Sequence, residues 1–439
     1  PWTGRRLHLV GIGGVGMSGY ATVAAQLGAT VSGSDRAESP ALERLRDAGI
    51  TAHAGHDAAH LPAGDDVEVV VSSAIGAENP EIALARERGL RVMPRAELLH
   101  ELSALRRTIA VAGAHGKTTT SSMTAHVLLG CGMDPGYLIG GELRSTGRNA
   151  AWGTGEWLVV EADESDRSML SLVVEVAVVT NVELDHHATY GSLAEVRDVF
   201  REFLSGPAQA VVLDRPDLLE LRPAGGTIAY DALDLELDAE GSRMTWRGHE
   251  VRLAVPGEHN ARNAVAALEA ARLAGAEEAQ AVAAIATFGG AGRRFERLGR
   301  TASGALVVDD YAHHPTEVAA TIAAGRTLDP DRLVAVFQPH LFSRTQHLAG
   351  AFGRALAAAD VVCLVDVYPA RERAEDFPGI SGLTVAEAVA DAAPGREVLW
   401  LRTFEAAERV LGARLRAGDL CLVLGAGDVR TLGERLATA

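Results

Sequence analysis

Read for the spacing of apolar and polar positions, the chain alternates short apolar runs with longer stretches of helical periodicity. Residues 6–10 predict a strand that runs into a glycine-rich turn, and a helix follows to residue 27. Residues 29–33 and 67–72 predict two more strands, after which the pattern fades near Arg106 and Arg107. It then restarts: 108–112 predicts a strand, 118–130 a helix, and 156–161, 176–181 and 208–213 further buried strands. Polar alternation over 231–255 predicts hairpin structure, 260–274 an Ala-rich helix, and the Gly-rich stretch 288–292 a hinge. Beyond the hinge, strands are predicted at 305–309, 333–337, 361–366 and 420–424, separated by helices. Strand–helix alternation of this kind is the signature of α/β folds. Three domains are expected: 1–105, doubly wound and Rossmann-like; 106–292, a central mixed-sheet domain of the P-loop ATPase type; and 293–439, again Rossmann-like.

Composition narrows the class. The length of 439 residues exceeds one ordinary domain, and 47 % apolar residues suffice for several cores. A formal charge of −17 argues against nucleic acid or an anionic membrane as a partner. No apolar run approaches the roughly 20 residues of a spanning helix. The first residues lack a signal-peptide layout, and Cys131, Cys363 and Cys421 lie far apart without a disulfide framework. The expectation is a cytoplasmic protein without membrane insertion; its oligomeric state is not legible. One compositional fact is sharper. Lys117 is the single lysine, every other Lys or Arg position being arginine. A lysine kept at one place in an arginine-only chain points to a site that needs a compact ammonium.

That lysine sits in Gly113-Ala114-His115-Gly116-Lys117-Thr118-Thr119-Thr120, between a predicted strand and a predicted helix. Glycines let backbone N–H groups wrap around phosphates, and a helix N-terminus favours anions. Lys117 would hold the β- and γ-phosphates and Thr118 would offer its hydroxyl to Mg²⁺. A chance GKT in a surface loop is the bland alternative; the flanking strand and helix outweigh it.

A second glycine loop, Gly11-Ile12-Gly13-Gly14-Val15-Gly16, follows the first strand, with Asp35 ending the next. Alone, this satisfies the dinucleotide fingerprint and reads as an NAD-dependent dehydrogenase. The same physics serves any nucleoside diphosphate, so both readings stand at this point. A nucleotide-driven switch or motor is a third.

The short GxxGKT spacing resembles that of the Mur ligase and folylpolyglutamate synthase superfamily. Further marks follow in order: Glu161-Ala162-Asp163-Glu164-Ser165-Asp166, Thr180-Asn181-Val182-Glu183-Leu184-Asp185-His186, and Pro256-Gly257-Glu258-His259-Asn260-Ala261-Arg262-Asn263. Arg293-Arg294-Phe295-Glu296, Asp309-Asp310-Tyr311-Ala312-His313-His314-Pro315-Thr316-Glu317 and Phe337-Gln338-Pro339-His340 complete the set. The resemblance spans nearly the whole chain and is strongest to the alanine-adding branch of the Mur ligases.

The resemblance implies an ATP-dependent ligase that joins L-alanine to the carboxylate of UDP-N-acetylmuramate through an acyl phosphate, with Mg²⁺, in peptidoglycan precursor synthesis. It implies an ATP site of Gly113, Ala114, His115, Gly116, Lys117, Thr118, Thr119, His259, Asn260, Asn263, Arg294 and Asp310. It implies a UDP-substrate site of Gly13, Gly14, Val15, Gly16, Met17, Ser18, Ser34, Asp35, Ser72 and Ser73. Tyr311, His313, His340 and Arg344 would surround the amino acid, with Arg344 on its carboxylate. Thr118, Glu161 and His186 would hold metal, although imidazole is an unusual Mg²⁺ ligand. Lys117, His186, Arg294, His313 and Arg344 are the expected catalytic groups. Relatives that bridge a second metal with a carbamoylated lysine are excluded, because the one lysine is already committed. Structural readings compete at each place: a solvated acidic turn for 161–166, a surface pair for His186 and His187, a salt-bridge arginine for Arg294, a helix cap for Asn260 and Asn263, core or capping histidines beyond Tyr311. A ligase that attaches a tripeptide to the same UDP sugar is the near rival.

Leu341, Ala188 and Arg167 depart from the family pattern, where arginine, an acid and a small residue are usual. Leu341 weighs on the amino acid accepted.

Overall fold

The computed structural model describes residues 2–185, 189–222 and 225–438. The chain divides into two compact units. The first comprises Pro1–Glu183, Leu193–Asp231 and Asn263–Ile285; the second comprises Leu184–Ser192, Ala232–Arg262 and Ala286–Ala439.

The first unit holds two sheets. One is all parallel, built from β1 (Arg6–Val10), β2 (Thr30–Asp35), β3 (Thr51–Ala54), β4 (Val67–Val71) and β5 (Arg91–Pro94) in the order β3-β2-β1-β4-β5. Its helices are α1 (Val15–Gln26), α2 (Pro40–Asp47), α3 (Pro80–Glu87) and α4 (Arg95–Ser103). Only β1, β2 and β4 are evident in the hydrophobic pattern. The two outer strands, β3 and β5, are four residues each with exposed ends, and an edge strand needs no continuous apolar run.

The other sheet contains β6 (Arg107–Ala112), β7 (Gly136–Leu143), β8 (Arg148–Ala151), β9 (Trp157–Glu161), β10 (Val176–Val179), β11 (Gln209–Leu213) and β12 (Thr227–Tyr230), ordered β12-β11-β10-β6-β9-β7-β8. Strands β6, β9 and β10 are its middle. Ile109 to Ala112, Leu158 to Val160 and Ala177 to Val179 are all 0 % exposed, which is why they read as unbroken apolar runs. Helix α5 (Lys117–Gly130) leaves the end of β6. The hairpin β7–β8 is antiparallel and makes the sheet mixed.

The second unit has an antiparallel meander, β13 (Leu233–Asp238), β14 (Gly241–Trp246) and β15 (His249–Leu253), where hairpin structure is predicted. Its larger sheet runs β16 (Glu296–Arg300), β17 (Leu306–Asp310), β18 (Arg332–Phe337), β19 (Val361–Leu364), β20 (Glu397–Trp400) and β21 (Asp419–Leu424) in the order β16-β17-β21-β18-β19-β20. The two-residue period of β18 sends Leu333, Ala335 and Phe337 into one apolar cluster and Val334 and Val336 into another. Both faces are therefore core. Cys363 and Cys421 are buried on this sheet as free thiols; burial pushes Cys363 up to about 12, leaving it unreactive.

Candidate functional site

The loop expected to hold phosphate is braced on three sides within the first unit. Gly113 has φ +146°, and a Cβ there would lie 2.1 Å from Thr180 Oγ1. Gly116 has φ +83°, and a Cβ there would lie 2.9 Å from Asn263 Oδ1. No larger residue fits either place. Asn181, at the end of β10, accepts the His115 amide (3.0 Å) and donates to the His115 carbonyl (2.8 Å). Thr180 Oγ1 donates to that same carbonyl at 2.7 Å. The His115 ring lies 3.1 Å from Glu183, so it braces the loop. Helix α5 begins with no side-chain cap and no acidic residue in its first turn, leaving its positive end for an anion.

Lys117 Nζ donates to Gly113 O (2.5 Å), Ala114 O (3.3 Å) and both oxygens of Glu164 (2.8 and 3.0 Å). Burial opposes its charge, but Glu164 and Asp163 beside it raise its pKa, so it stays an ammonium. Asp163 is half-buried; its partial loss of solvent opposes ionisation, yet Lys117 and Arg95 hold it well below the usual carboxylate range. Arg95, at the start of α4, donates to Asp166 (2.9 and 2.7 Å) and Asp163 (3.0 Å). Nothing in the local sequence marks Arg95 or Glu164 for these roles, since each depends on which strand ends meet.

Among the expected metal ligands, Thr118 is buried in the first turn of α5, with Thr119 beside it. Glu161, at the end of β9, accepts the Gly140 amide (2.5 Å) and lies 3.4 Å from Ser121 Oγ. His186 lies outside the described residues. Among those described, no cluster of three or more His, Cys, Asp or Glu is arranged for a metal.

The glycine loop occupies the carboxyl edge of the first sheet. The Gly13 amide donates to Asp35 Oδ2 at 2.8 Å, so the end of β2 fixes the turn before α1. Gly14 precedes α1, whose first turn carries Val15, Gly16, Met17 and Ser18 and no acid. Ser72 closes β4 beside Gly11, and Ser73 is exposed. Ser34 is placed otherwise: it is 0 % exposed and its hydroxyl donates to Glu81 at 2.7 Å.

The second unit gathers the other predicted residues. Arg344 pairs with Asp185, Nη2 lying 3.0 and 3.1 Å from its two oxygens. Arg344 Nη1 is 3.1 Å from His340 Nδ1, which makes that nitrogen an acceptor. His313 Nδ1 lies 3.0 Å from Tyr311 O, so its proton sits there and Nε2 carries the lone pair. Burial depresses both imidazoles, His313 to about 4 and His340 to about 3, with Arg344 adding to each. Their rings lie 6.0 Å apart, and Tyr311 meets His313 edge-on at 5.3 Å. His314 caps the helix Pro315–Arg326, whose Glu317 accepts the amides of His313 (3.0 Å) and His314 (3.1 Å).

Arg294 lies 3.5 Å from Glu317 and 5.2 Å from the Tyr311 ring centre. Asp310 is buried, and its oxygens accept the Phe295 and Ala312 amides at 2.8 Å each. It therefore pins the turn carrying Arg293 and Phe295, both at positive φ (57° and 47°). Burial raises Asp310 to about 6. Asn260 Nδ2 donates to Pro256 O (2.7 Å), and the His259 ring packs over Gly257. In this structure Asn260 thus fastens the start of the helix Glu258–Leu273. Leu341 is buried at φ +69° before the helix Phe342–Leu356.

Comparison with known proteins places the chain in a family. Residues 6–107 match the model described as Mur ligase family, catalytic domain; 111–271 match the Mur ligase middle domain; 293–427 match the Mur ligase, glutamate ligase domain. A UDP-N-acetylmuramate–L-alanine ligase of Kineococcus radiotolerans is 48 % identical over 98 % of this chain and 95 % of its own. One of Acidithiobacillus ferrooxidans is 46 % identical over 98 % and 97 %. The crystal structure of the UDP-N-acetylmuramate-alanine ligase of Thermotoga maritima superposes with a TM-score of 0.84 at 27 % identity, covering 99 % of this chain and 98 % of that one. A murein peptide ligase of Psychrobacter arcticus superposes at 0.74 with 26 % identity, over 99 % and 98 %. With a braced phosphate loop around the sole lysine and relatives this similar over their whole lengths, the chain belongs to the Mur ligase family.

Proposed function

We propose that this chain joins L-alanine to UDP-N-acetylmuramate at the expense of ATP, through an acyl phosphate. The observation that carries the reading is near-half identity over full length to ligases of that name, joined to a phosphate loop whose only lysine is held charged. In this reading residues 1–105 take the UDP sugar, 106–292 take ATP, and 293–439 take the amino acid.

The chemistry sets two electrostatic problems. A carboxylate must approach the γ-phosphate of ATP, anion against anion, and an amine must then displace phosphate. For the first, Lys117, the loop amides and the open N-terminus of α5 supply positive charge where the phosphates lie. On arrival the γ-phosphate takes over from Glu164 as partner of Lys117, and Arg294 is the arginine assigned to the same charge. Thr118 and Glu161 offer hard oxygens of the kind Mg²⁺ prefers, with His186 the third expected ligand. Bound there, the metal would neutralise phosphate charge.

For the second problem, the amino-acid segment offers neutral imidazoles. An imidazolium would repel an incoming ammonium; the Nε2 lone pair of His313 accepts an N–H from it instead. Arg344, tied to Asp185, orients His340; to bind the substrate carboxylate it would have to exchange that partner.

The test is phosphate release from ATP with UDP-N-acetylmuramate and Mg²⁺, with and without L-alanine. Release that requires both substrates, with UDP-N-acetylmuramoyl-alanine appearing by mass, is expected. Turnover with the tripeptide but not alanine would make the chain a peptide-recycling ligase. No turnover alongside tight NAD binding would return the first glycine loop to the dehydrogenase reading.

A further inference from the structure

An incoming amino acid brings a carboxylate as well as an amine, so the segment that offers His313 and His340 must also supply a cation. Most candidates are engaged. Arg344 is buried against Asp185, which fills its fork. Arg293 is divided between Asp309 and Gly425 O, at 3.2 and 2.7 Å. Arg294 lies 3.5 Å from Glu317, and Arg373 lies 3.5 Å from Asp376. Leu341, the residue after His340, is apolar and buried. Arg371 differs from these. It is exposed and makes no hydrogen bond or ion pair among the described residues.

An exposed arginine is an ordinary surface group, but two observations set this one apart. The first is how firmly its backbone is carried. Tyr368 pairs with His340 as a parallel bridge. The Tyr368 amide donates to Pro339 O at 2.8 Å, and the Tyr368 carbonyl accepts the Leu341 amide at 2.9 Å. Its ring stacks on the His340 imidazole, with centres 5.7 Å apart and planes 18° from parallel. The chain then turns: the Glu372 amide donates to Pro369 O at 2.8 Å, with Ala370 inside the turn at φ +50°. Glu372 fastens the far side, its carboxylate accepting both the amide (3.0 Å) and the hydroxyl of Ser343. The backbone of Arg371 is thus held between His340 and the first turn of the helix Phe342–Leu356, with its charge unspent. The second observation is electrostatic. Burial does most to keep the His340 ring neutral, His313 and Arg344 follow, and the charge of Arg371 acts in the same direction. Exposed charges are screened over roughly 10 Å, so the guanidinium stands near that ring.

We propose that Arg371 holds the carboxylate of the incoming amino acid, while Arg344 stays with Asp185 and orients His340. The inference rests on the reading of this segment as the amino-acid site. It removes a conflict of charge. Drawing Arg344 onto the substrate would leave Asp185 buried without its cation, which is strongly unfavourable, whereas Arg371 gives up only water. An amino acid then meets two separate groups: its N–H faces the His313 Nε2 lone pair, and its carboxylate faces a guanidinium able to donate two bonds in a fork. The acceptor is thereby defined as an amine that carries a free carboxylate, and the amide of the same amino acid loses the second contact.

The test uses the full chain with ATP, UDP-N-acetylmuramate and Mg²⁺, and compares L-alanine with L-alaninamide as substrate or as competitor of L-alanine. In Arg371→Gln the KM for L-alanine is expected to rise at least about tenfold, the effect of losing a charge-assisted hydrogen bond. The ATP KM should stay unchanged and kcat nearly so, as expected when uniform binding is lost. Arg371→Lys, which keeps the charge without the fork, should fall between the two. L-Alaninamide should act alike on wild type and Arg371→Gln. An L-alanine KM within about twofold of wild type overturns the inference and returns the carboxylate to Arg344. Equal weakening of L-alanine and L-alaninamide also overturns it, because a structural role, or a field acting only on His340, touches both ligands. Wild type that does not turn over L-alanine overturns the amino-acid reading, and the inference with it. Should L-alaninamide neither react nor compete, the L-alanine KM decides alone.

Discussion

Arg344 and Asp185 stand 159 residues apart and meet as a buried fork: Nη2 reaches both carboxylate oxygens and Nε reaches Oδ1 at 3.1 Å. The pair is 4 % and 5 % exposed. It places the segment just before His186 against the helix Phe342–Leu356, inside the second unit. Because Arg344 Nη1 also meets His340, the pair sets the orientation of an imidazole in the segment proposed to take the amino acid.

Removing one partner of such a pair leaves an uncompensated buried charge. Asp185→Ala is expected to cost about 3–5 kcal/mol of stability. Combining Asp185→Leu with Arg344→Met, which removes both charges, is expected to recover most of it while activity stays low. Urea unfolding of the single and double variants measures this. A double variant no more stable than Asp185→Ala would show that the pair contributes by packing rather than by charge.

Lys117→Arg tests the lone lysine. The ammonium fits among Gly113 O, Ala114 O and Glu164, and a planar guanidinium has no room to keep those contacts and reach phosphate. ATP turnover is expected to fall by at least about 10³-fold, in line with the loss of a main charge-stabilising group. UDP-substrate binding should change little. Retained turnover would falsify the role assigned to the lysine.

How much of this was legible beforehand follows from range of interaction. The β6–α5 loop is local chemistry: a strand, two glycines, a lysine and a helix start lie within ten residues, and the sequence pattern finds them. The bonds from Asn181 and Thr180 that hold the loop come from a strand end 65 or 66 residues away. There the sequence shows only the end of an apolar run. Arg95 and Glu81 are harder still. Arg95 is one of many arginines, and Glu81 reads as an ordinary acid in a helix's first turn, because nothing nearby reveals that it meets Ser34. The outer strands β3 and β5 were missed because short edge strands carry little apolar pattern.

The two depressed imidazoles predict how stability changes with pH. His313 titrates near 4 and His340 near 3 in the folded chain, both displaced downward by burial, against about 6.5 unfolded. The unfolded chain therefore binds more protons between those limits, and stability rises with pH there. The contribution is fully present above about 6.5 and is lost as pH falls toward 4 and below. For His313 alone it reaches at most about 3 kcal/mol, and the neighbouring pair does not add simply. His340→Phe keeps the stack on Tyr368 and removes one such group. The stability loss from pH 7 to pH 4.5 should be smaller in the variant by about 2–3 kcal/mol. Parallel pH profiles for the two proteins would sink the assignment.

Arg95 links the helix after β5 to the acidic turn after β9, and its removal should be felt at Lys117. Its side chain is 17 % exposed and it grips Asp163 and Asp166 together. Arg95→Met keeps the aliphatic length and deletes the donors. Asp163 then loses one of the two cations that hold it ionised, Lys117 being the larger. A carboxylate depressed in this way stabilises the fold above its unfolded pKa and loses that stabilisation as pH falls through the folded value. The variant should thus be destabilised at pH 7, by about 1–3 kcal/mol. The double variant with Asp166→Asn should show a coupling energy of about 1 kcal/mol or more. The catalytic consequence separates this from plain packing. With less positive charge opposing it, Asp163 competes more strongly for Lys117, so the KM for ATP should rise several-fold. A destabilised Arg95→Met with an unchanged ATP KM would confine Arg95 to holding the two segments together.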